Sequence, residues 1–241
     1  KTFAAGLAAL MSVQAPAQTA WTELRGERFV LLGALDADRL RPIACEVQLA
    51  LRTVGMTHEG APVPSIIAAA NGTAMRGLLP QYWERRGPRP LGAYWAGLYG
   101  HHIAVRVDAP PEERLRRLLH EAAHFATHLA HPKPPRWLDE GTSELWEHAA
   151  IDGDRIEVGR PVARHLRALR SDKYWIPVAE IASAADVPRA ASVMFYAQSW
   201  ALVHYLLFEK PGSGKLVLEH LPGPAGLPTD EELRRYARGP L

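Results

Sequence analysis

From Asp36 to Val54 the apolar positions Leu40, Ile43, Ala44, Val47, Leu51 and Val54 recur at helical spacing, which predicts an amphipathic helix. Pro62 to Ala70 is short, apolar and β-branched, and reads as a strand. Tyr94 to Leu98 and Ile103 to Val107 read as two more. In the last of these, Ile103, Val105 and Val107 alternate with Ala104 and Arg106. Asn71-Gly72 and Gly87-Pro88-Arg89-Pro90 mark turns. A long helix follows, with Leu115, Leu118, Leu119, Ala122, Ala126 and Leu129 as a broad apolar stripe. Asp108 is placed to cap it, Pro110 and Pro111 suit its first turn, Glu112 and Glu113 complement its dipole, and Pro132 stops it. Pro134-Pro135 opens another helix, from Arg136 to about Ala149. Beyond Asp152-Gly153-Asp154 the pattern is mainly helical, over Pro161 to Arg170, Val178 to Ala184 and Ala191 to Phe208. Strands and a long helix first, then a run of helices, predict an α+β fold with a small mixed or antiparallel sheet and a mainly helical C-terminal lobe.

Inside the long helix lies His120-Glu121-Ala122-Ala123-His124. Histidines one turn apart can bind a single zinc from one face, and the glutamate between them is placed to take a proton from water at that metal. The next helix carries Glu140, Glu144 and Glu147 on one face, while Trp137, Leu138, Leu145 and Trp146 give it apolar surface to bury. The loop from His131 to Pro135 is short enough for the two helices to pack side by side. Either Glu140 or Glu144 can then supply a third ligand, with water as the fourth. The other can accept the second N–H of His120, which fixes that ring's tautomer and orientation. Gly141 inside this helix costs about 1 kcal/mol against Ala, a weakness that calls for a close-packing reason.

Two further segments, Trp137-Leu138-Asp139-Glu140-Gly141 and Tyr196-Ala197-Gln198-Ser199-Trp200, complete a recognisable pattern. It resembles the gluzincin branch of zinc metallopeptidases. Within that branch it looks most like the secreted bacterial peptidase-MA-like proteins, which combine H-E-x-x-H, W-L-x-E-G-x-x-E and Y-x-Q-S-W. The resemblance covers roughly residues 21–207, and the interval from His124 to Glu140 is shorter than in the zinc aminopeptidases. It implies a zincin-like fold and zinc-dependent hydrolysis of peptide bonds. Zinc would be held by His120, His124 and Glu140, with Glu144 behind His120 and Glu121 as general base. Tyr196 would face the metal and donate a hydrogen bond to the oxyanion, although an aromatic on an apolar helix also fits plain core. An edge strand would pair with an extended peptide substrate, here along residues 102–107. Two readings compete: a zincin-fold binding or scaffold protein that keeps its metal without turnover, and a zinc hydrolase of a non-peptide amide. A scaffold has no use for Glu121.

Composition changes this picture little. With 241 residues, 47% of them hydrophobic, the chain can bury one core-bearing domain over residues 21–241, with a sheet-containing lobe to about 131 and a helical lobe beyond. A net charge of +2 argues against a nucleic-acid partner, and Arg114-Arg116-Arg117 and Arg85-Arg86 read as solvated faces. Cys45, the single cysteine, cannot form an intramolecular disulfide and is expected to be buried. His101 and His102 read as strand-entry residues, His165 and His204 as structural, and His128 as surface or support behind the ligands. Gly212-Ser213-Gly214-Lys215 lacks the residues of a phosphate-binding loop and reads as a turn. Lys1, the apolar run Phe3 to Val13 and Ala15-Pro16-Ala17 resemble a secretory signal without its first methionine, and the run is too short for an ordinary membrane span. That implies a secreted or periplasmic bacterial protein.

Overall fold

The computed structural model describes residues 20–84, 89–171, 173–187, 189–210 and 226–239. The signal-like segment, Arg85-Arg86, Gly87-Pro88 and the Gly212 to Lys215 turn lie outside them. Two strands that hydrophobic spacing did not single out come first, β1 (Thr22–Arg25) and β2 (Val30–Gly33). Helix α1 (Ala37–Thr53) follows, and the Asp36 side chain accepts from the Arg39 N–H to cap it. Then come β3 (Ser65–Ala69), the short α2 (Gly72–Leu78) capped by Asn71, and the hairpin β4 (Gly92–Gly97) and β5 (Gly100–Arg106). The sheet order is β1-β2-β3-β5-β4. The inner pairs β2–β3 and β3–β5 are parallel, and the outer pairs β1–β2 and β4–β5 are antiparallel. The fold is thus mixed α/β with a small mixed sheet.

This order corrects the expected substrate strand. Residues 102–107 fall largely in β5, which is hydrogen-bonded to β3 on one side and to β4 on the other. Neither of its edges is open. The edge strand is β4, the other arm of the hairpin, whose outer N–H and C=O groups face away from β5.

Alternation along the strands divides the sheet residues between two faces. Leu31, Ile66, Ala68, Ile103 and Val105 pack against Leu40, Ile43, Val47 and Leu51 of α1. Leu118, Leu119 and Ala122 of helix α3 (Pro111–Ala130) join the same cluster. On the opposite face Ala69, Ala93 and Ala104 meet Met75 of α2. Cys45 lies on the outer side of α1 and is exposed, contrary to expectation, because the buried positions of that helix are Leu40, Ile43, Val47, Ala50, Leu51 and Thr53.

After α3 the chain makes α4 (Arg136–Glu147), a small hairpin of β6 (Ala150–Asp152) and β7 (Arg155–Glu157), then α5 (Ala163–Arg170), α6 (Val178–Ser183), α7 (Ser192–His204) and α8 (Asp230–Arg238). A π-helical turn, Tyr205–Glu209, extends α7. Helix α7 is apolar nearly all round, as a helix buried on all sides must be. Its Phe195, Trp200, Leu202 and Val203 centre a second core with Trp137, Leu138 and Leu145 of α4, Leu169 of α5 and Leu233 of α8. Among the described residues no helix is long and apolar enough to cross a membrane.

The packing reason for Gly141 lies between α4 and α7. A Cβ at that position would stand 2.3 Å from the backbone oxygen of Ser199 and 2.7 Å from Val203 Cγ2. Backbone cannot give way as a side chain can. We therefore expect Gly141→Ala to lose stability despite its better helix propensity, by about 1–3 kcal/mol. Urea denaturation checks this, and a variant as stable as the parent would contradict the close packing.

Candidate metal centre

Helix α3 begins at Pro111, with Glu112 and Glu113 in its first turn as the sequence suggests, but Asp108 does not cap it. Its carboxylate accepts instead from Arg106, at 3.0 and 2.8 Å. Another correction concerns the arginines read as solvated. Arg114 is buried, donates to both oxygens of Glu46 at 2.6 Å, and reaches the carbonyls of Val107 and Ala109. Arg117 is mostly buried and faces Glu121 and Glu147. Only Arg116 of the three is on the open face, paired with Glu112.

The apolar stripe that seats α3 on the sheet turns His120 and His124 toward α4, where both are buried. Their Nε2 atoms lie 3.1 Å apart. Glu140 Oε2 is 3.7 Å from His120 Nε2 and 3.8 Å from His124 Nε2. Tetrahedral zinc would set its ligand atoms about 3.4 Å from one another, so the triangle is close to that size. Arg136 Nη2 holds the other Glu140 oxygen at 2.8 Å, which leaves Oε2 for the histidines.

The outer nitrogens of the two rings explain why this triangle invites a cation. Asp139 Oδ1 accepts from His124 Nδ1 at 2.6 Å, and His128 and Arg136 approach Oδ2 at 3.3 and 3.4 Å. Burial opposes ionisation of Asp139, but the hydrogen bonds from His124 and His128 outweigh it and hold the carboxyl well below its usual range. An ionised carboxylate must accept, so Nδ1 carries the proton and Nε2 of the neutral ring presents a lone pair. On the other ring, His120 Nδ1 lies 2.8 Å from Glu147 Oε2, although the N–H does not point along that line. Burial again resists, but contact with His120 and the charge of Arg117 bring Glu147 down to about 2. That lone pair, the Nε2 of His120 and a carboxylate oxygen therefore converge on one point. Without a metal, a proton relieves the repulsion. Burial disfavours the charged His124 ring, yet Asp139 and then Glu140 outweigh it and carry the ring up to about 9.

Charge balance points the same way. The carboxylates Glu121, Asp139, Glu140, Glu144 and Glu147 are all buried, and the guanidiniums that face them belong to Arg117, Arg136 and Arg164. Once His124 is neutral, five against three leaves an excess of two negative charges, which a divalent ion would cancel.

Glu144 is not where the motif reading puts it. Its Oε2 takes Arg164 Nη2 at 2.6 Å and His165 Nε2 at 2.9 Å, so it is held from α5, and Glu147 takes the position on His120 Nδ1. Glu140 rather than Glu144 forms the triangle with both histidines. Of the supports, Asp139 carried no reading from the sequence although it sits inside Trp137-Leu138-Asp139-Glu140-Gly141, directly before Glu140. The signal available was its position one residue from Glu140 on a helix that must pack against α3.

The converging groups line a cavity of about 330 Å³. Glu121, Tyr196 and the edge strand from Gly92 to Ala96 share its walls with His120, His124 and Glu140. Gly92 lets β4 come this close to α3, since a Cβ there would lie 2.5 Å from Arg117 Cγ and 3.1 Å from Glu121 Cγ. Burial, then the negative charge of Glu140, push the Tyr196 hydroxyl well above its ordinary range, so it stays a proton donor at neutral pH. The rest of the Tyr-Ala-Gln-Ser-Trp segment is scaffold. Gln198 bonds the N–H and C=O of Ile176 at 2.9 and 2.8 Å, the Ser199 carbonyl meets Gly141, and Trp200 is core. His204 is likewise structural, with Nε2 2.7 Å from the Gly159 carbonyl. His101 and His102 lie in β5, where His101 Nδ1 meets the Tyr94 hydroxyl at 2.8 Å and His102 stacks on Trp95. Comparison with protein-family models, with curated proteins and with solved structures gives no match.

Two measurements test the centre. Glu147→Gln should weaken metal binding about 10–100-fold while Glu144→Gln changes it little, by competition titration against a chelating dye. The opposite ranking would return Glu144 to the position behind His120. Affinity should also climb with pH by up to about tenfold per unit and level off above about pH 9, because below that value the metal must displace the proton on His124. A flat profile from pH 6 to 9 would contradict the assigned ligand.

Proposed function

We propose that this chain is a gluzincin-like zinc metallopeptidase with a zincin-like fold, and that it hydrolyses peptide bonds. The observation that carries the reading is the triangle of His120 Nε2, His124 Nε2 and Glu140 Oε2, with the Glu121 carboxylate in the same cavity. Two neutral imidazoles and one carboxylate, with a side open to a cavity, are the donor set of catalytic zinc rather than of a closed structural site. When bound, the ion supplies Lewis acidity, lowering the pKa of water and polarising a carbonyl.

The protein's own groups do the rest. Glu121 accepts a proton from the attacking water on its carboxylate and hands it to the leaving amine. Arg117, 3.8 Å from Glu121 Oε1, offsets the charge of that carboxylate among its acidic neighbours. Tyr196 donates its hydroxyl proton toward the oxygen that gains negative charge. The outer edge of β4, which runs along the cavity, offers backbone hydrogen bonds to an extended peptide, so strand addition moves from residues 102–107 to Gly92–Gly97. A scaffold without turnover would not need a buried carboxylate at position 121, in the wall of the same cavity.

Glu121→Gln should retain zinc and lose at least about 10²-fold in kcat on a mixed peptide library, whereas His124→Ala should lose the metal. Substantial hydrolysis by Glu121→Gln would remove the general-base role. Tyr196→Phe should lower kcat by roughly 10²-fold with little change in KM, and an unchanged kcat would return Tyr196 to the core.

A further inference from the structure

A second cavity, of about 420 Å³, adjoins the metal cavity, and Arg117, His120 and Tyr196 line both. Its walls are chiefly hydrocarbon, with the exposed Val193 and the Tyr196 ring among them, and Arg117, Arg164 and Glu144 supply charge. The two guanidiniums are incompletely used. Arg117 reaches Glu121 Oε1 at 3.8 Å and Glu147 Oε1 at 3.6 Å, beyond hydrogen-bond range, and its buried Nε has no partner. Arg164 gives Nη2 to Glu144 at 2.6 Å, with Glu147 Oε1 3.8 Å from the same nitrogen, and its side chain is half-exposed. Glu144 is satisfied twice, by Arg164 and by His165.

His120, Glu144 and Glu147 come close enough to hold a second cation. The guanidiniums standing on those same carboxylates would repel one. Unspent N–H donors beside apolar walls suit the opposite charge: an anionic group carried on an apolar residue. Planar guanidinium donors match a carboxylate in particular.

We propose that this second cavity is a substrate subsite for a carboxylate, bound by Arg164 and Arg117, with the adjoining apolar group against Val193 and Tyr196. The proposal rests on the peptide-hydrolase reading and adds a preference to it. The two cavities share a wall and an extended residue spans about 3.5 Å, so cleavage falls within a residue or two of the carboxylate. That group is either the free C-terminus of a peptide or an Asp or Glu side chain.

The test is binding of three peptides to the zinc-loaded Glu121→Gln protein, followed by fluorescence anisotropy. The first ends in a free carboxylate, the second is its amide, and the third is an amide with Asp in place of the last residue. The free acid, the Asp peptide or both should bind about tenfold or more tightly than the plain amide, the scale of a charge-assisted hydrogen bond. Which of them does so identifies the source of the carboxylate. That preference should vanish in Arg164→Met and partly return in Arg164→Lys, with zinc content measured in each. Equal affinity for all three peptides, no binding by any, or an acid preference that survives Arg164→Met would overturn the subsite. The last result would mean that Arg117 or the metal holds the carboxylate without Arg164. Because binding is read without turnover, failure of the wild-type protein to hydrolyse peptides would count against the proposed activity and leave this result legible.

Discussion

Burial of charge at the seam between α3 and α4 is the constraint on which the site depends. Five carboxylates sit where water is scarce, and each ion out of water costs several kcal/mol unless it is paired. The chain meets that cost by giving nearly every carboxylate a dedicated partner. Arg136 holds Glu140, Arg164 and His165 hold Glu144, Arg117 stands between Glu121 and Glu147, and the two inner histidines lean on Asp139 and Glu147. The positions of the ligand atoms follow from this pairing as much as from helix geometry. Removing one arginine would free a carboxylate to compete for the histidines.

Part of this was legible in the sequence and part was not, for identifiable reasons. Histidines four apart on a helix share a face whatever surrounds them, so His120 and His124 could be paired from spacing alone. The strands β3, β4 and β5 announced themselves by apolar runs and alternation. Alternation says which face a residue takes but nothing about lateral neighbours, and the edge was therefore assigned to β5 instead of β4. Glu140, Glu144 and Glu147 lie on one face of α4, and which of them meets which partner depends on how that helix is rotated about its own axis. That rotation is set by Gly141 against α7, a contact between segments far apart in the chain. Arg114 looked solvated because its partner, Glu46, lies on α1. Cys45 sits among apolar residues in sequence, but on the outward side of that helix.

The segment from Tyr196 to Trp200 shows how one short motif serves several ends. Its aromatic first residue reaches the cavity, its glutamine pins the backbone at Ile176, its serine carbonyl meets α4 at Gly141, and its tryptophan fills the core. Conditions on position, packing and chemistry thus fall on four of five consecutive residues.

The three groups that could hold a cation come from both halves of the molecule. His120 and His124 belong to the helix seated on the sheet core, and Glu140 to the helix seated in the helical core. A cation held by all three would be a tie between those cores, and its binding energy would add to the folded state only while they stay docked. Occupancy would then govern cooperativity as well as chemistry. Loaded, the two cores would unfold as one unit; stripped, the helical core would be free to open ahead of the sheet.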